Sequence, residues 1–526
     1  MTDNIVDRRQ VLRGVGAAGI ASIAGCTGGG GGGSDLPSGK LNLAQAKSPV
    51  DLDPIVSNDV PSAEVIDRVF DTLYNYNEDA SKVVPILAKG QPETSKNGKR
   101  YTVSLKKNAK FHNGDPVTAT DVKYSFEAPV KEETENAAEF SMIKSITAVD
   151  EHTVQFDLKY PYGAFMDTLV WYVVPKSVRE KNKDKFNKKK PVGAGPFKFV
   201  DWKEGNYVDL ERWGDYWGKP KPNLSKVHMT PVTEPTTRVT TLQNGENDVV
   251  KGIPPKMWST VKNMGNASIE STPGMGYFYL AFNCKKGPTA DPKVREAIDY
   301  AFSMDQAVKN YVEPVGIRQY APVPEAVSSA WNFPVDEWKQ IPHDKNIDKA
   351  KQMLDSNDNV PSDWSPTIIV PPDEKRKQIG ITVGNALKEA GYPTNVQQLD
   401  WAGFLEKYKT GNPDDYNMYT LGWSGSPDPD GFLYYFFAEP SHGVTDGTFY
   451  SKVSDQVIDA RKTANHEKRK RLYEEAITTL LEDRAHIPAY NLKNNFGVRN
   501  TVKDFRAHSV NQFTLATDYN NVKVNK

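Results

Sequence analysis

The sequence predicts an α/β fold from two interleaved periodicities and from the lack of any apolar run after residue 35 long enough to span a bilayer. Tyr101, Val103 and Leu105 alternate with polar residues, the period of a half-buried strand. Asn113-Gly114 then marks a turn. Val154, Phe156 and Leu158 repeat the alternation and predict a second strand. Asp291-Pro292 reads as a helix N-cap with proline at the first helical position, after which Val294, Ile298, Ala301 and Phe302 line one face. Ile368, Ile369 and Val370 form a short continuous run, the pattern of a strand buried on both sides. Ile379, Val383, Ala386, Leu387 and Ala390 make a second helical stripe, stopped by Gly391. Leu472, Ala476, Ile477, Leu480 and Leu481 make a third. These stripes are core faces and carry no chemistry.

A chain of 526 residues has material for two or three globular units. Its 66 Lys and Arg balance 67 Asp and Glu, so charge gives no reason to expect nucleic acid as a partner. With only two cysteines, Cys26 and Cys284, neither a disulfide framework nor a cysteine metal site is available.

The N-terminus reads as an address. Arg8-Arg9, then Val11-Leu12-Arg13 and a soft Gly/Ala-rich run from Gly14 to Gly25, resemble a twin-arginine export signal. Ile23-Ala24-Gly25-Cys26 resembles a lipoprotein processing site, with Cys26 the lipidated first residue of the mature chain. The glycine run Gly28 to Gly33 cannot pack and reads as a flexible tether. Residues 1–25 are thus expected to be signal and 26–35 anchor and tether. The mature protein is expected on the outer face of the cytoplasmic membrane, and a second acyl chain is implied because one anchors only marginally.

Catalytic motifs fail on inspection. Gly422-Trp423-Ser424-Gly425-Ser426 lacks the final glycine of a nucleophile elbow, and Pro427 and Pro429 stand where its helix would begin. Ser426 to Phe437 fails as a calcium loop, with serine at the first position and phenylalanine at the twelfth. There is no phosphate-binding G-x-x-x-x-G-K-[ST] and no H-E-x-x-H. The expectation is a non-enzyme with no cofactor and no metal site.

Six segments resemble, in order, the family 5 solute-binding proteins of ABC transporters, the dipeptide, oligopeptide and nickel class. They are Tyr101 to Phe126 with its Phe-His-x-Gly turn, Val192 to Trp217 (VGAGPFKFVDW…LERWGDYW), and Thr237 to Asp248 (TRVTTLQNGEND). Tyr279 to Ser303, Leu399-Asp400-Trp401 with GWSGSPDPDGF, and His486 to Asn491 (HIPAYN) complete the set. The resemblance implies a two-lobed periplasmic-binding-protein type II fold with hinge closure over a ligand, and an additional subdomain in the first lobe. On that reading residues 36–60, 190–283 and 488–526 form lobe I, 61–189 its extra subdomain and 284–487 lobe II. The chain is expected to cross near Asn283 and return near Ile487-Pro488. A permease and an ATPase subunit are the implied partners, and a monomer the implied state.

The expected ligand site is the Gly/Pro-dense segment Gly422 to Asp430, where irregular backbone leaves polar groups free. Trp423 offers a flat apolar face, Ser424, Gly425 and Ser426 offer backbone, and Asp428 offers a carboxylate. Tyr277, Asn283 and Trp401 complete the candidates. Peptide-binding relatives hold the peptide's amino group with an aspartate shortly after Gly-Trp. An ungapped alignment puts Ser426 there, and serine cannot make a charge-assisted bond to an ammonium. Asp428 is the alternative anchor, and oligosaccharide or chelated nickel the alternative ligand.

Overall fold

A computed structural model describes residues 39–439, 446–510 and 515–525. Cys26, the export signal and the tether lie outside the described residues. Strands from the two lobes join into one long mixed sheet. In the first lobe, Lys40–Gln45 runs parallel to Lys226–Pro231 and Val249–Lys251, and Tyr207–Arg212 and Phe197–Lys203 extend the edge antiparallel. In the second, Thr367–Val370 runs parallel to both Asn395–Gln398 and Met418–Ser424, and Met418–Ser424 pairs antiparallel with Gly276–Phe282.

The lobes are stitched by one strand, His486–Arg499. Its first part pairs with Gly276–Phe282 in the second lobe, and its last part with Ala267–Pro273 and Val249–Lys251 in the first. The change of partner falls at Gly274 on one strand and around Asn491–Lys493 on the other. The outgoing crossing is therefore earlier than Asn283 and the return later than Ile487-Pro488. The reason is burial: Gly276–Phe282 is apolar on both faces because helices cover the second-lobe sheet on either side, so it reads as core of either lobe. Asn491 marks the crossover. It is fully buried, and its amide donates to Gly274 O (2.9 Å) and Gly276 O (2.6 Å).

A separate four-stranded antiparallel sheet, ordered Glu93–Ser95, Arg100–Ser104, Thr153–Leu158, Ile143–Asp150, forms the additional subdomain. Tyr101 and Val103 face Phe156 and Val154 across it, and these four side chains are buried. Both alternating segments read from the sequence are thus strands of one sheet.

The predicted helices form for the expected reasons. Asp291 accepts from Lys293 N and caps Pro292–Ala301. The stripe from Ile379 lies on Glu374–Glu389, capped by Asp373, and Gly391 beyond it has φ of 97°. Ala476, Ile477, Leu480 and Leu481 are the buried face of His466–Glu482. No helix among the described residues is long and apolar enough to cross a membrane.

Candidate ligand-binding site

In the second lobe the three parallel strands present their carboxyl ends to one edge, the usual ligand position in open α/β sheets. Asn395–Gln398 leads there into Trp401, the first residue of the helix Trp401–Tyr408, which Asp400 caps. Met418–Ser424 leads into the loop Gly425–Pro429 and the helix Asp430–Phe437. Trp401 is 48% exposed and Trp423 40%, the only two tryptophans exposed to that degree among the described residues. An indole left in water forfeits apolar burial, so two at one sheet edge mark a surface that binds something.

The loop is shaped by close packing. A Cβ on Gly425 would lie 2.7 Å from Gly431 O, so only glycine lets the turn fold against the helix start. Trp423 Nε1 donates to Gly431 O (2.8 Å), which orients the indole, and its ring lies against Tyr435 with centroids 5.3 Å apart. Ser424 is exposed, and Gly425 and Ser426 are partly so.

Asp428 is committed elsewhere. It is buried, accepts from Arg469 Nη2 (2.7 Å) and from Asp430 N (2.9 Å), and so closes the turn. Asp430 is likewise buried, pairs with Arg461 Nη1 and accepts from Tyr162 OH (2.9 Å). Burial pushes the Asp430 carboxyl up, against the pull of Arg461. Neither carboxylate is free to meet a ligand ammonium in this structure, because each already has a guanidinium. Asp167 stands nearby with its carboxyl pushed up to about 7, first by burial and then by the charge of Asp428.

Tyr277 and Asn283 belong to the interior. Tyr277 is fully buried and stacks on Tyr279, which in turn stacks on His486 at 4.0 Å. Asn283 is fully buried, donating to Tyr416 O (3.3 Å) and accepting from Lys285 N (3.0 Å), which fixes the end of its strand. Tyr277 and Tyr279, two residues apart on a strand, share one face, and helix Asp430–Phe437 covers that face through Phe436, a contact that no local pattern announces. The structure thus brings Trp423, Ser424, Gly425 and Ser426 together on one loop, puts Trp401 at the same sheet edge, and takes Asp428, Tyr277 and Asn283 out of reach.

Two residues that the sequence did not single out enter this neighbourhood. Tyr435 flanks Trp423, and Glu139 of the additional subdomain accepts from Tyr435 OH at 3.4 Å. The same subdomain meets the second lobe again where Gly163 N donates to Arg461 O (3.0 Å). A Cβ on Gly163 would lie 2.3 Å from the Arg469 guanidinium, so glycine is what admits the arginine. No short-range pattern reports contacts across such sequence separations.

Comparison with known proteins agrees with this geometry. The model of the bacterial extracellular solute-binding proteins, family 5, matches residues 82–443. The chain is 26% identical over 500 residues to the oligopeptide-binding protein AppA of Bacillus subtilis, covering 90% of each. It is 27% identical over 485 residues to the probable D,D-dipeptide-binding periplasmic protein DdpA of Escherichia coli, covering 89% of this chain and 92% of that one. The solved structure of HbpA2 from Haemophilus parasuis superposes with a TM-score of 0.80 at 22% identity, over 93% of this chain and all of the other. The two-lobed fold, the subdomain and the family match lead to one assignment: the chain belongs to the bacterial extracellular solute-binding proteins of family 5.

Proposed function

We propose that this protein captures short peptides in the cleft between its lobes and delivers them to an ABC permease, whose separate ATPase subunit supplies the energy. The observation that carries this reading is a pair of exposed indoles at the carboxyl ends of second-lobe strands: Trp423 beside the open loop Ser424–Ser426, on the strand that pairs with Gly276–Phe282, and Trp401 at the end of the outermost strand. Flat aromatic faces and free backbone groups suit an extended peptide, which offers a backbone ladder and variable side chains. The oligopeptide and D,D-dipeptide ligands named for two relatives support the same class. We further read the protein as a monomer exported by the twin-arginine route and held outside the membrane through lipid on Cys26. Lobe I carries the subdomain, and the lobes divide at Gly274 and Asn491.

The test is the melting temperature of the mature domain with pools of short peptides, oligosaccharides or chelated nickel. A ligand at about 100 times its dissociation constant adds roughly 2.7 kcal/mol to the folded state. A shift with peptides alone supports the proposal. A shift with sugars or nickel only would transfer the binding role to that class, in keeping with Ser426 and with the pairing of Asp428 to Arg469.

A further inference from the structure

From the lysine segment 181–190 and Trp202 beside it we infer a membrane-docking face on lobe I, which takes the phosphate groups of anionic lipid. The inference goes beyond peptide capture, and it rests on the anchor proposed above only for the choice of a membrane as the anionic partner.

Six of the ten residues from Lys181 to Lys190 are lysines, against one acid, Asp184. The whole chain balances 66 basic against 67 acidic side chains, so this concentration is local. All six lysines are exposed, yet the segment that carries them is fixed. Asn182 caps the helix Lys183–Lys188 by accepting from Lys185 N, and Phe186 is buried against Phe70. Asn187 accepts from Leu52 N (2.7 Å) and Asp53 N (3.0 Å), which ties the helix to the loop after the strand Lys40–Gln45. Lys183 pairs with Glu132 (2.9 Å) and Lys188 with Asp51 (3.0 Å). Lys181, Lys185, Lys189 and Lys190 take part in no ion pair among the described residues. Like charges held together on an ordered surface repel one another, and a polyanionic surface relieves that repulsion.

Apolar groups stand beside the charge. Lys188 Nζ donates to Val50 O and lies 5.5 Å from the centre of the Trp202 ring. Val50 is 50% exposed, and Trp202 is partly exposed on the edge strand Phe197–Lys203. Lysine beside tryptophan and an exposed aliphatic side chain suits the boundary between lipid headgroups and acyl chains, where ammonium meets phosphate and the apolar groups leave water. The twelve residues between Cys26 and Gly39 can span at most about 40 Å. Lipid on Cys26 would therefore keep this face near the membrane, where a weak attraction is enough to orient lobe I. Such an attraction is reversible and does not by itself hold an unlipidated chain on a membrane.

The test uses the mature chain carrying Cys26→Ser, which takes lipidation out of the measurement, and vesicles of phosphatidylglycerol alone or phosphatidylcholine alone. Co-sedimentation at low salt is expected with phosphatidylglycerol only, and is expected to vanish in 1 M salt, where charges are screened beyond about 3 Å. The fourfold variant Lys181→Gln, Lys185→Gln, Lys189→Gln, Lys190→Gln touches only exposed side chains. It should bind phosphatidylglycerol vesicles about a hundredfold more weakly or worse, each lysine counting for about fivefold. A control of equal net charge, Lys256→Gln, Lys262→Gln, Lys309→Gln, Lys388→Gln, alters exposed lysines elsewhere and should bind as the parent does. No binding of the parent to phosphatidylglycerol overturns the inference. Equal weakening of the two variants, or equal binding of the parent to both kinds of vesicle, overturns it as well. Each of these outcomes leaves peptide capture and the Cys26 anchor standing, since peptide-induced stabilisation and membrane release are measured separately.

Discussion

Trp423 is the residue where exposure and position coincide, and its replacement separates binding from folding. Trp423→Ala removes one hydrogen bond to Gly431 O and the packing of a 40%-exposed indole against Tyr435 and Phe436, so stability should fall by a moderate ~2–3 kcal/mol with the fold retained. Peptide affinity should fall by about tenfold, as expected for an aromatic anchor. A large drop in melting temperature with unchanged affinity would make Trp423 a packing residue. Asp71 offers a different test. It is buried, accepts from Tyr216 OH at 3.2 and 3.3 Å, and burial pushes its carboxyl up to about 7, with Tyr216 and Lys106 opposing. Between the unfolded value near 4 and this raised value the folded state binds the extra proton, so this group's contribution to stability falls as pH rises through that window. Asp71→Asn should therefore be more stable than wild type by a few kcal/mol at pH 8, with the difference gone near pH 4. A pH-independent difference in melting temperature would refute the assignment. The two residues also show what single positions disclose. Trp423 was legible because glycine and proline crowd around it. Asp71 was not, since nothing in a lone aspartate announces the tyrosine that covers it.

At the scale of elements, periodicity identified the strands and helices well and their partners poorly. The alternation at Tyr101 and at Val154 became neighbouring strands, and each helical stripe became a buried face. The crossing point was displaced because the strand Gly276–Phe282 is buried on both faces, and a wholly apolar strand carries no mark of which lobe owns it. Tyr277 was misplaced for the same reason, since alternation assigns residues to a face without saying what covers that face. What fixes the crossing is Asn491, whose amide bridges the carbonyls of Gly274 and Gly276. Asn491→Asp keeps the size but replaces both donors by a carboxylate facing two carbonyl oxygens. The expected cost is about 2–4 kcal/mol at pH 8. Protonation restores one donor, so the loss should shrink toward pH 5, and a melting-temperature series over that range measures it. Equal destabilisation at both pH values would mean that steric fit, rather than donation, holds the crossing.

At the scale of the whole molecule, function requires that the chain stay outside the cell and that its lobes close. For the first, Cys26→Ser should release the protein from membranes into the medium, because the thiol is the proposed attachment point; membrane association that survives the substitution would remove lipidation from the proposal. For the second, the buried contact between subdomain and second lobe is the lever. Tyr162 OH reaches across to Asp430, and Arg461 both pairs with Asp430 and accepts Gly163 N through its carbonyl. Tyr162→Phe removes the bridging hydroxyl while Asp430 keeps its guanidinium, so each lobe's core is untouched and about 1 kcal/mol of the contact is lost. If closure is the binding-competent state, that loss lowers its population, and the apparent affinity falls by the same fraction, at most about fivefold and about threefold where the wild type is half closed. Small-angle scattering of the unliganded variant should then give a larger radius of gyration than wild type, and saturating peptide should return it to the wild-type value. Unchanged affinity together with an unchanged radius would show that the Tyr162–Asp430 bond is local packing, and would place the control of closure at the Asn491 crossing instead.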